Sequence, residues 1–199
     1  MKKILTILLC VVTACGMTSC LGDDNETYLT DENVTEAMNT MRGTYEGNLL
    51  YALSSTDVPD TVRNIRWTVD SVLTIHNFPQ RIFAESFSNM ADSKMVADIR
   101  ALPPRDLKCH IGFYSIGDGG YMLNIIPETL QFKATVNEQK TDCKIEFLSN
   151  NENSIGVFQK SNRSLIFMMN TYGFYLNGNM VNGALFNRTY FKLITNAKN

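Results

Sequence analysis

Ile65, Trp67, Val69, Leu73 and Ile75 all fall on odd positions, while Arg66, Thr68, Asp70, Thr74 and His76 fall on even ones. A period of two marks a strand with one buried and one wet face, because successive side chains leave a strand on opposite sides. The stretch therefore predicts one long strand, with Val72 the exception, Trp67 in the core, and Arg66 and Thr68 exposed. Asn77-Phe78-Pro79 ends it, since proline restricts the residue before it and offers no ladder N–H. The same alternation occurs in residues 43–53, GTYEGNLLYAL. There Tyr45, Leu49, Tyr51 and Leu53 share a parity with Gly47, and Thr44, Glu46 and Asn48 take the other.

A different period follows. Phe87, Ala91, Met95, Ile99 and Leu102 recur at three- or four-residue steps, with Ser88, Asn89, Asp92, Lys94 and Asp98 between them. This predicts one amphipathic helix near 84–100, stopped by Pro103-Pro104. A short helix over 34–41 is compatible with the residues there. Beyond it the chain reads as hairpins. Gly117-Asp118-Gly119-Gly120 and Asn177-Gly178 supply turn residues, and polar breaks at 150–153 and 161–164 separate short segments such as 130–136 and 143–148. Strands at such spacing predict a mainly β domain, an antiparallel barrel or a β-sandwich of about 8–10 strands. Residues 165–169 are apolar on both parities, and 185–194 mix them. Such strands are covered on both sides or present an apolar patch outside, and the helix near 84–100 is the available cover.

The N-terminus carries an address. Met1-Lys2-Lys3 precedes an almost wholly apolar run over 4–14, the pattern of a secretory signal peptide and too short for a comfortable membrane span of about 20 residues. The following MTSC at 17–20 resembles the lipobox of bacterial lipoproteins, in which the cysteine is lipidated and becomes the first mature residue. VTAC at 12–15 offers Cys15 as a rival. Cys20 is preferred because it leaves the longer apolar segment and stands directly before the polar stretch. Asp23, Asp24 and Glu26 resemble the acidic signal after the lipidated cysteine in surface lipoproteins of Bacteroidetes-type bacteria. These resemblances imply a signal peptide over 1–19, an acidic tether over 20–40 and one β-rich domain over 41–199. They also imply an outer-membrane location, lipid-anchored and facing the cell surface, with a periplasm-facing anchor as the alternative. The opening GTYEGNLLY resembles the first strand of lipocalin-like barrels.

Cleavage before Cys20 leaves 180 of 199 residues, a single domain able to bury roughly 70% of its unfolded surface. Removal of Lys2 and Lys3 takes the formal charge from −2 to −4. No basic cluster interleaved with aromatics is present, which argues against nucleic acid as a partner. Of the five cysteines, Cys109 and Cys143 remain in the mature domain. They are compatible with one disulfide or with two core thiols. His110 alone does not complete a metal site, so no metal or other cofactor is expected.

Catalytic readings find little footing. Cys109 and His110 are adjacent, so in a strand they point to opposite faces and do not form a nucleophile–base pair. His76 reads as a solvated residue at a strand end. Asp118 reads as a turn former rather than a calcium ligand. Glu85, Asp92 and Asp98 read as a solvated face. No nucleophile elbow, metalloprotease, P-loop or dinucleotide motif occurs. Asp60-Thr61-Val62 and Asp70-Ser71-Val72 resemble the Asp-Ser/Thr-apolar acceptor of Bacteroidetes-type O-glycosylation, implying Thr61 and Ser71 as acceptors. Thr61 follows a polar loop, whereas Ser71 lies on the inward parity of the long strand.

Together these features resemble the lipid-anchored envelope proteins of such bacteria. They imply a non-enzymatic ligand-binding or accessory module, membrane-attached through its lipid. Eleven Phe, eight Tyr and ten Met supply aromatic and adaptable surface for an apolar or glycan ligand or an envelope protein. The ligand-binding residues stay unassigned. A structural or protein-interaction subunit is the alternative, and a hydrolase the third. An unfilled cavity would favour the first, a flat apolar patch the second, and a His–carboxylate pair in a cleft the third.

Overall fold

The computed structural model describes residues 29–54, 57–88, 91–149 and 154–196. Helix α1 (Asp31–Met41) comes first, capped by Thr30, whose hydroxyl accepts the Asn33 N–H at 3.2 Å. Ala37 and Met41 are buried, so the segment expected as the end of an acidic tether is folded onto the domain. Tyr45 donates its hydroxyl proton to the Met41 carbonyl, tying the helix to the first strand.

Eleven strands follow: β1 (Gly43–Ala52), β2 (Asp60–Val69), β3 (Leu73–Phe78), β4 (Arg105–Ile116), β5 (Gly120–Pro127), β6 (Leu130–Val136), β7 (Gln139–Phe147), β8 (Ile155–Gln159), β9 (Ser164–Leu176), β10 (Asn179–Met180) and β11 (Tyr190–Thr195). Every pairing is antiparallel. The order β11-β1-β2-β3-β4-β5-β8-β9 closes on itself because β11 pairs with β1 on one side and β9 on the other. The domain is therefore a closed eight-stranded barrel, which removes the sandwich alternative and leaves no free edge in the ring. The β6–β7 hairpin is inserted between β5 and β8. It pairs with the second half of β9, which also carries β10, forming a side sheet.

The stretch expected as one long strand is two. β2 ends at Val69, a tight turn closes with the Asp70 N–H on the Val72 carbonyl, and β3 begins at Leu73. The four-residue step from Val69 to Leu73 preserves parity, so Ile65, Trp67, Val69, Leu73 and Ile75 all point into the barrel. Val72 was the exception because it belongs to the turn. The helix expected near 84–100 is also split: a 3-10 helix (Gln80–Ser86) is followed by extended Phe87, and α2 (Ser93–Arg100) starts only where Asp92 caps the Lys94 and Met95 N–H groups. This helix packs on β6 and the 3-10 helix, not on the outer wall of the C-terminal strands. In residues 165–169 the apolar parities divide instead. Leu165, Phe167 and Met169 fill the bore, while Ile166 and Met168 lie half-buried outside.

The bore is solid. Trp67, Phe158, Phe167, Leu49, Leu73 and Leu123 are fully buried there, with Trp67 stacked 6.2 Å from Tyr45 and edge-on to Phe167 at 5.8 Å. Two glycines permit close backbone approach. A Cβ on Gly47 would lie 1.9 Å from the Ile194 carbonyl oxygen, and one on Gly120 2.0 Å from that of Phe158. Gly120 therefore answers to packing, and the 117–120 turn uses no positive φ. Asn177-Gly178 does, with φ of 46° and 83°, as a hairpin turn of this kind requires.

Candidate functional site

Of the non-glycine residues with positive φ, Asn137, Glu138, Arg163 and Asn177 serve hairpin turns. Asn64 (φ 58°) and Asn77 (φ 53°) lie inside strands, where each marks a β-bulge. Between the pairs Gly47–Ile65 and Leu49–Val62, Arg63 and Asn64 of β2 face the single Asn48 of β1. Between Ile75–Leu107 and Phe78–Arg105, His76 and Asn77 of β3 face the single Asp106 of β4. Bulges bend a strand and re-aim side chains, and asparagine tolerates the left-handed conformation better than most residues.

The bulges flank one groove on the outer wall of the barrel. It has a volume of about 620 Å³ and is lined by Thr44, Asn64, Ile65, Arg66, Thr68, His76, Asn77 and Asp106. The second bulge releases the Asn77 N–H from the ladder, and Asp106 Oδ1 accepts it at 3.0 Å. The other carboxylate oxygen lies 3.1 Å from His76 Nδ1. The Asn77 N–H, joined by the His76 contact, holds the Asp106 carboxyl below its ordinary pKa, so it stays ionised and accepts only. His76 Nδ1 is therefore the donor. On the far side of the ring, Nε2 lies 3.1 Å from Thr68 Oγ1. A hydroxyl, an imidazole and a carboxylate thus stand in series across β2, β3 and β4. Arg66 faces His76 directly across the β2–β3 ladder and is exposed.

His76, expected to be a solvated strand-end residue, is half-buried with both ring nitrogens engaged. Arg66 is exposed as anticipated, whereas Thr68, also expected to be exposed, is half-buried against the His76 ring, and the series with Asp106 was not foreseen. Asp106 lies 30 residues from His76, and the only trace in the sequence is the Asn77-Phe78-Pro79 irregularity.

The other anticipated residues are scattered. Cys20 lies outside the described residues. Cys109 is a free, buried thiol in the bore, and Cys143 a free, buried thiol in the side sheet. They form no bridge, and burial pushes both thiols up in pKa. Alternation places Cys109 inward and His110 outward, where its ring lies 3.8 Å from Glu128. Thr61 is exposed on β2, and Ser71, expected to face inward, is exposed in the β2–β3 turn beside the Arg42–Asp70 ion pair. Asp118 is exposed in its turn. Asp92 and Asp98 are clamps rather than a solvated face. Asp92 also accepts the Asn137 N–H, and Asp98 accepts from the Thr135 N–H and hydroxyl and from Lys140 Nζ at 2.9 Å. Among the described residues no group of three His, Cys, Asp or Glu could hold a metal ion, and no helix is long and apolar enough to cross a membrane.

A family model described as a domain of unknown function, DUF4840, matches residues 40–176. The chain belongs to this family. The DUF4840 span runs from the end of α1 to the end of β9, so it contains both bulges and every residue lining the groove. The strand that closes the barrel, β11, follows it. No match is found among curated proteins or solved structures.

Proposed function

We propose that this protein is a lipid-anchored component of the cell envelope that binds its ligand on the outside of its barrel and catalyses no reaction. The observation that carries the reading is the pair of bulges around the groove. Two left-handed asparagines within one stretch of wall are conformations of the kind that collect at ligand sites. The filled bore points the same way: a lipocalin-like container would need space where Trp67, Phe158 and Phe167 pack. The MTSC motif at 17–20 and the acidic residues after it support lipidation at Cys20 and, with it, placement at the outer membrane, facing the cell surface or, alternatively, the periplasm. An envelope protein is the alternative occupant of the outer wall, where Val157, Ile166 and Ile194 meet side by side.

The test has two arms. Cys20→Ala should move the protein from the membrane fraction to soluble material, and a shift seen only with Cys15→Ala would relocate the anchor. For the groove, amide NMR shifts on adding candidate small molecules should concentrate at Asn64, Arg66 and Asn77. Shifts confined to other surfaces would remove the site.

One observation favours hydrolysis as a second reading: Thr68, His76 and Asp106 have the order of a hydroxyl–base–acid triad. The surroundings argue against it. Thr68 sits in a ladder between Thr44 and Thr74, so its own backbone is committed to strand pairing rather than to an oxyanion. The Asp106 side chain is 53% exposed, so its field acts largely through water. Hydrolysis of p-nitrophenyl acetate should be the same for the protein and for His76→Gln. A loss of about a hundredfold in the variant would reinstate the triad.

A further inference from the structure

The groove's hydrogen-bonding groups are unevenly spent. Asp106, its one fixed anion, has one oxygen on the Asn77 N–H and the other on His76. Thr68 is engaged by the same ring. Arg66, by contrast, makes no hydrogen bond or ion pair among the described residues, and neither do the side chains of Thr44 and Asn64. Glu46 stands opposite Arg66 on β1 but forms no bridge to it. What the groove leaves open is therefore a guanidinium fork, the side-chain amides of Asn64 and Asn77 and the Thr44 hydroxyl, all able to donate. A guanidinium presents paired donors in a plane that matches a carboxylate, and such bidentate contacts are among the stronger polar interactions.

We propose that the groove binds a carboxylate-bearing small molecule, gripped by Arg66 and assisted by Asn64 and Thr44. This deepens the reading of the groove as a ligand site and rests on it. The charge of the ligand follows from its neighbours. Glu46 lies opposite Arg66 on β1 and Asp106 lies beyond His76 on β4, so two carboxylates surround one guanidinium, and this net negative surrounding opposes a doubly charged phosphate more than a singly charged carboxylate. Asp106 acts as a positioning residue, since its oxygens hold His76 and the Asn77 N–H of the bulge.

The full-length protein would be titrated with acetate, D-glucuronate, D-glucose and inorganic phosphate while the amide signals of Asn64, Arg66 and Asn77 are followed. Both carboxylates should move these signals, glucuronate at least about tenfold more tightly than glucose or phosphate. Arg66→Ala should weaken glucuronate roughly ten- to a hundredfold with the spectrum otherwise intact, and Arg66→Lys less so, because it keeps the charge but loses the fork. Glu46→Gln should tighten binding, a result that loss of structure would not produce. Groove shifts with glucose or phosphate but not with the carboxylates would overturn the carboxylate assignment and leave the ligand site standing. Equal binding by Arg66→Ala would do the same. No groove shift with any of the four would overturn both.

Discussion

The two halves of β9 solve the same problem in different ways. From Ser164 to Asn170 the strand is a barrel stave between β8 and β11, and its inward residues Leu165, Phe167 and Met169 are wholly apolar. Closure of the ring satisfies the backbone, so the bore needs no polar side chain. From Thr171 the strand leaves β11 for β7 and β10, and the ladder breaks at a bulge opposite Glu146 and Phe147. At that junction buried polar residues gather beside the buried Phe174: Ser86, Asn170, Thr171, Thr189 and Ser154. Thr171 Oγ1 accepts the Thr189 N–H at 2.8 Å, the Thr171 N–H goes to the Thr189 carbonyl at 3.0 Å, and the Ser86 and Thr189 hydroxyls lie 2.5 Å apart. Ser154 donates to the Leu148 carbonyl at 2.6 Å. Where a strand changes sheets, side-chain hydroxyls replace the missing ladder partners, because a buried backbone group left unmatched costs as much as a lost hydrogen bond.

The largest effect should come from the apolar half. Trp67→Ala, beside Phe167, should destabilise the domain by roughly 3–5 kcal/mol in urea unfolding. Trp67 also sharpens the contrast, since its Nε1–H is buried without an acceptor in the apolar bore. Trp67→Phe, which keeps a ring and removes that donor, should recover much of the loss. If Phe proved as costly as Ala, the bore would be tuned to indole shape rather than to apolar volume.

At the junction, Thr171→Val keeps the shape but strips the Thr189 N–H of its acceptor, and should cost about 1–3 kcal/mol. A neutral result would mean that the backbone relaxes into a continuous ladder, and the comparison between the halves would collapse.

A smaller, pH-dependent effect is expected where α2 meets the β6–β7 hairpin. Lys140 and Thr135 hold the Asp98 carboxyl at about 2, below its ordinary 3.8. A depressed carboxylate favours the fold above its unfolded pKa and loses that contribution as pH falls through the folded one. Between pH 4 and 2 the protein should therefore lose stability faster than Asp98→Asn. Parallel curves would show that the clamp adds nothing at the side sheet.

The smallest effect belongs to the outer wall. His76→Gln should change stability by no more than about 0.5 kcal/mol, because the ring is partly solvated and the wall beneath it is complete. Its signature should be local, in the amide signals of Asn77 and Asp106. A large global loss would make the Thr68–His76–Asp106 series a structural strut.

Much of the local structure was legible in the chain. Period two placed Trp67, Leu73 and Ile75 inward and set Cys109 and His110 on opposite faces. Asn177-Gly178 announced its hairpin, and the β-rich class followed from the spacing of turns. Hydrophobic parity, however, survives a tight turn when the step across it is even, so two strands read as one from 65 to 76. A helical rhythm in Phe87 and Ala91 did not make a helix, because the Asp92 cap starts α2 later and Phe87 bridges Phe186 in extended form. In each case a local signal was correct about faces and silent about partners.

Parity is a property of neighbours along the chain, so the sequence by itself determined strands, faces and several turns. Partner choice is settled by contacts across the molecule. Only the tertiary structure decided that β11 would meet both β1 and β9 and close a barrel, or that β9 would serve two sheets. It also decided the groove: two bulges shift register against their neighbours, and Thr68 and His76 stand in series with Asp106 on the wall that carries Arg66. The physical reason is that a bulge is a mismatch between two strands, defined only once both are paired.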